Sequence, residues 1–101
     1  MTCAELLTKA RALIANESDW RRGLESETNR GYCCADAVYA ACGFDGTGHK
    51  VTEAEWALLD TARARLRAAI GTDCIPVFND HPDTTHAMVL DAFDRSIRAA
   101  S

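Results

Sequence analysis

Two threonine–glutamate pairs constrain this chain more than any other feature. Thr2 stands three positions before Glu5, and Thr52 three before Glu55. At that spacing the N-cap hydroxyl accepts from the third helical amide while the carboxylate reaches back to the cap's own N–H, so two orphan donors at a helix start are satisfied together. Apolar residues follow each pair at three- and four-residue steps: Leu6, Leu7, Ala10, Leu13 and Ile14 after the first, Trp56, Leu59, Ala62, Leu66 and Ile70 after the second. That period belongs to a helix with one buried face. The pattern predicts a first helix over residues 3–15. It predicts another from the Thr52 cap to Ile70, stopped by Gly71, with Val51 and Trp56 closing a hydrophobic staple over its start.

Two further helices complete the pattern. One is predicted over residues 32–42, with Cys34, Ala37, Val38, Ala41 and Cys42 as its apolar stripe, Asp36 near its positive end and Gly43 as its stop. The last is capped by Thr84 or Thr85 and runs to about residue 99, with Met88 or Val89, Phe93 and Ile97 inward. Asp91 with Arg95, and Asp94 with Arg98, stand acid-first at four-residue spacing on its outer face.

The connecting segments read differently. After the polar break of residues 16–19, Trp20 and Leu24 fit one short helical turn, and residues 25–31 have loop composition. Residues 44–50 form a glycine-bearing connection. Residues 74–78, short and interrupted by Pro76, read as an extended strap, and residues 79–83 as a turn. The expected fold is all-α: a single domain over residues 1–101, built as a compact bundle of about four main helices with a short helical turn and one extended strap.

Composition narrows the function classes. A chain of 101 residues that is 48% hydrophobic and 26% charged can bury one core. Its net charge of −4 opposes a phosphate backbone, and Arg63, Arg65 and Arg67 are spread around a helix axis instead of lining one stripe, which argues against nucleic acid. No apolar run approaches the roughly 20 residues that cross a bilayer, and the N-terminal residues lack the order of a secretory signal. Five cysteines, an odd number, then read as free thiols of a soluble, cytoplasmic protein.

Chemistry-bearing residues are few. Cys33 and Cys34 adjoin, with Cys42 two turns on, but neighbours on a helix point about 100° apart and no two-ligand clamp is present, so no metal and no cofactor is expected. Cys33 or Cys34 near a helix N-terminus, with His86 or His81 as base and Asp80 or Asn79 as orienter, supplies the residue types of a thiol nucleophile, with Cys34, His86 and Asp80 as the leading set. The same residues also suit plain architecture, in which a small thiol is buried in the core and Asn79 and Asp80 bond the backbone at a helix start. Phosphate-loop, GxSxG, HExxH and EF-hand patterns do not occur.

The order of Asp19-Trp20-Arg21-Arg22-Gly23, the cysteine-rich alanine helix, Val77-Phe78-Asn79-Asp80 and Thr85-His86-Ala87-Met88-Val89-Leu90 resembles a family of small proteins from actinobacteria and their phages to which no function is assigned. The resemblance rests on Trp20, Cys34, Asn79, Asp80 and His86. Cys33 departs from the pattern, which often has an aromatic there. The combined expectation is a non-enzymatic binding or accessory protein with a protein partner, in which Trp20, Asn79, Asp80 and His86 are the candidate binding residues. The alternatives are a small thiol-dependent enzyme using Cys34 and His86, and an acidic inhibitor seated in a basic groove of its target.

Overall fold

The computed structural model describes residues 1–21, 31–43 and 51–100. Within them lie α1 (Cys3–Leu13), a 3-10 turn (Glu17–Asp19), α2 (Cys34–Ala41), α3 (Glu53–Ile70), α4 (Ile75–Asp80) and α5 (His86–Ala100). Both capping boxes form. Thr2 Oγ1 accepts from the Glu5 amide and Thr52 Oγ1 from the Glu55 amide, each at 3.1 Å, and each glutamate bonds back to the cap amide. Gly71 ends α3 in the left-handed region at φ 79°, and Gly43 follows α2 at φ 105°, backbone angles that a side chain resists.

The apolar stripes meet as their periods require. Leu6, Leu7, Ala10 and Ile14 from the α1 segment, Ala37, Val38 and Ala41 from α2, Leu59, Ala62 and Leu66 from α3, and Val89, Ala92 and Phe93 from α5 form one buried cluster. α1 packs against both α2 and α5, and α5 packs against α3, so the four longer helices enclose a single core. Each of these faces carries at least one buried alanine, a residue small enough to let helices approach closely. Ser96 is buried in α5 and returns its hydroxyl to the Ala92 carbonyl at 2.7 Å.

Several expectations are corrected. Residues 74–78 are not an extended strap: α4 runs from Ile75 through Asp80, so it also takes Asn79 and Asp80 from the turn expected over residues 79–83, and Pro76 lies in its first turn, where a missing N–H removes no helical bond. The short helical turn precedes Trp20 instead of carrying it; Trp20 itself is extended (φ −98°, ψ 137°), and Leu24 lies outside the described residues. α2 begins at Cys34 instead of Tyr32, because Tyr32 is held in a parallel bridge with Trp20 and Cys33 serves as the cap. Trp56 does not belong to the buried face of α3; it is 47% exposed, and the face is set by Leu59, Ala62 and Leu66.

In α1 the helix closes at Leu13, with Ile14 as its C-cap. In α5 it is Val89, not Met88, that turns inward, and Thr85 Oγ1 accepts from the Met88 amide at 3.2 Å. Asp91 pairs with Arg95 at 2.8 Å, whereas Asp94 reaches across to Arg11 of α1 at 2.7 Å and joins two helices. Most of the loop expected over residues 25–31, and the whole connection of residues 44–50, lie outside the described residues.

Candidate functional site

The buried side chain of Asn79, in the last turn of α4, gathers two distant parts of the chain, the Trp20–Arg21 segment and the start of α2. Its Oδ1 accepts from Trp20 Nε1–H at 2.7 Å, from the Cys34 amide at 3.0 Å and from the Cys34 thiol at 3.1 Å. Its Nδ2 donates to the Arg21 carbonyl at 3.0 Å and to Asp80 Oδ1 at 2.9 Å. An indole and a backbone N–H only donate, and a carbonyl only accepts, so these partners fix which way the amide faces. Both Nδ2 protons are in use, and the oxygen is crowded with donors.

Each partner is brought there by local chemistry. Cys34 is the first residue of α2, so its amide is one of the orphan donors of a helix start, and Asn79 supplies the acceptor from 45 positions away. Cys33 caps the same helix with its sulfur, which accepts from the Asp36 amide at 3.4 Å. Trp20 and Arg21 are held by the bridge to Tyr32: the Tyr32 amide donates to Asp19 O at 2.7 Å and the Arg21 amide to Tyr32 O at 3.1 Å. The neighbouring Gly31 passes so near that a Cβ there would lie 2.5 Å from Asp19 O. An Arg21–Asp36 ion pair at 2.9 Å ties this arm to α2.

His86, the first residue of α5, adjoins the cluster through the indole ring. Its ring stands 5.8 Å from that of Trp20, tilted by 36°, and its Nε2 lies 2.6 Å from the Ile14 carbonyl. A carbonyl accepts only, so Nε2 carries the proton, and the histidine satisfies an orphan carbonyl at the end of α1. Trp20, Cys34, Asn79 and Asp80 thus form one hydrogen-bond network, and His86 adjoins it through the Trp20 ring.

The electrostatics of the thiols follow from burial. Cys34 is fully buried, and its thiol is pushed up to about 12, mainly by burial and then by Cys33 and Asp80 nearby, so at neutral pH it is the protonated donor the geometry requires. Burial raises the Cys33 thiol as well. Asp80 is exposed and accepts from Asn79 at the rim. Among the described residues, no group of three His, Cys, Asp or Glu side chains could hold a metal.

Sequence reasoning named Trp20, Cys34, Asn79, Asp80 and His86 but missed Ile14, Arg21 and Gly31. Ile14 and Arg21 meet His86 and Asn79 through backbone carbonyls, which leave no residue-type signal. Gly31 was visible only as loop composition, although close approach of two backbones is a standard use of glycine. A separate groove of ≈ 560 Å³, lined by Met1, Cys42, Ala54, Leu58 and their neighbours, includes none of the network residues.

No curated protein and no solved structure matches the chain. The expected resemblance to a family without an assigned function stands, because the model of one such family, DUF6197, matches residues 1–99. The chain belongs to DUF6197, a family of unknown function.

Proposed function

We propose that this chain is a non-enzymatic binding or accessory protein with a protein partner, and that the Trp20–Cys34–Asn79 network is the keystone of its fold instead of a catalytic centre. The observation that carries this reading is the saturation of Asn79. Every polar group of a fully buried side chain is taken by another part of the same chain, which leaves it no proton to give a substrate. The state of Cys34 supports it, since a nucleophile needs a thiolate and this thiol is held protonated as a donor. His86 is anchored through its Nε2–H to the Ile14 carbonyl, and the Cys34 thiol donates to Asn79 instead of to an imidazole.

On this reading Trp20, Asn79, Asp80 and His86 position the ends of α1, α2 and α4, and the partner meets the outer surface. The free state of all five cysteines agrees with a reducing compartment, and we place the protein in the cytoplasm of a bacterium or of its phage-infected host.

Alkylation by iodoacetamide at neutral pH, followed site by site by mass spectrometry, tests the reading. Exposed Cys74 is expected to react at the rate of a free cysteine and Cys34 far more slowly. A Cys34 that reacts faster than free cysteine would overturn it in favour of the thiol-dependent enzyme. An acidic inhibitor, the remaining alternative, predicts partner binding that weakens steeply with salt.

A further inference from the structure

We draw no further inference here: the strongest candidate, the groove lined by Met1, Cys42, Ala54 and Leu58 with the exposed small-residue face of α3 beside it, has nothing in the structure to show what covers it, and the acid-to-base order of charges along α3 is what a helix dipole favours without any partner.

Discussion

Trp20 Nε1–H meets Asn79 Oδ1 at 2.7 Å and so joins residues 59 positions apart. The same oxygen takes the first amide of α2, while the nitrogen beside it holds the Arg21 carbonyl. One side chain therefore fixes the bridge segment, the start of α2 and the end of α4 against each other. Polar groups placed this way stabilise little by their mere presence, but removing one partner strands the rest away from water.

Asn79→Ala is expected to cost roughly 3–5 kcal/mol, because it strands the Trp20 indole N–H, the Cys34 amide and thiol and the Arg21 carbonyl, and leaves a cavity as well. Asn79→Asp keeps an acceptor but places a carboxylate beside Asp80 and the Arg21 carbonyl. Burial and like charge hold the introduced carboxyl above its ordinary range, so its penalty is present at neutral pH and shrinks as pH falls through that raised value toward the unfolded one. Urea unfolding at pH 7 and pH 4 reads both variants. If Asn79→Ala changes stability by less than about 0.5 kcal/mol, the network is not a keystone.

The buried thiol makes a second expectation, at alkaline pH. Folded Cys34 titrates near 12, against an ordinary value of 9.0. Below pH 9 both states hold the proton and the stabilisation is complete. Between 9 and 12 the unfolded chain releases the proton and the folded one keeps it, so stability declines by up to about 1.4 kcal/mol per pH unit and levels off beyond the folded value. Cys34→Ser retains a donor to Asn79 and should flatten this decline. Cys3, Cys33 and Cys42, also raised by burial, contribute with the same sign and leave a residual slope. Denaturant midpoints measured from pH 8 to 10.5 compare the two proteins; equal slopes would mean that Cys34 is not the buried donor.

Much of the fold was legible because its signals are local. Thr2 and Thr52 with their glutamates, Gly71 after α3 and the stripes of α1 and α5 each act within a few residues, and the chain obeys them. α4 was not legible, since six residues give too little length for a period, and Pro76 reads as a break until it is placed in a first turn. Cys33 is a cap that residue preferences do not suggest. Spacing alone places Trp56 inward, but the orientation of the whole helix is decided by Leu59, Ala62 and Leu66. The membership of the network could be suspected from residue types. Its logic could not, because the shared acceptor on Asn79 and the two backbone carbonyls exist only after α1, α2 and α4 have docked.

Helix caps offer a graded check on the local signals. Thr52→Ala removes the acceptor for the Glu55 amide and should cost about 1 kcal/mol, with Thr52→Ser restoring most of it. For a domain of this size that lowers the melting temperature by roughly 4–8 °C, which calorimetry resolves readily. An unchanged melting temperature would show that packing alone sets the start of α3.

Gly31 and Gly71 separate two reasons for glycine. At Gly71 the backbone is left-handed and no atom lies within 4 Å of a would-be Cβ, so Gly71→Ala carries only the conformational penalty, about 1 kcal/mol. At Gly31 the φ angle is not positive, and the obstacle is the Asp19 carbonyl, 2.5 Å from the would-be Cβ. That atom is backbone and is itself bonded to the Tyr32 amide, so it cannot give way without opening the Trp20–Tyr32 bridge. Gly31→Ala should therefore cost more, about 2–3 kcal/mol, and should also disturb the indole. The indole N–H resonance of Trp20, assigned by its loss in Trp20→Phe, is the discriminating readout. It should shift in Gly31→Ala and hold still in Gly71→Ala, and the reverse pattern would detach the bridge from the Asn79 network.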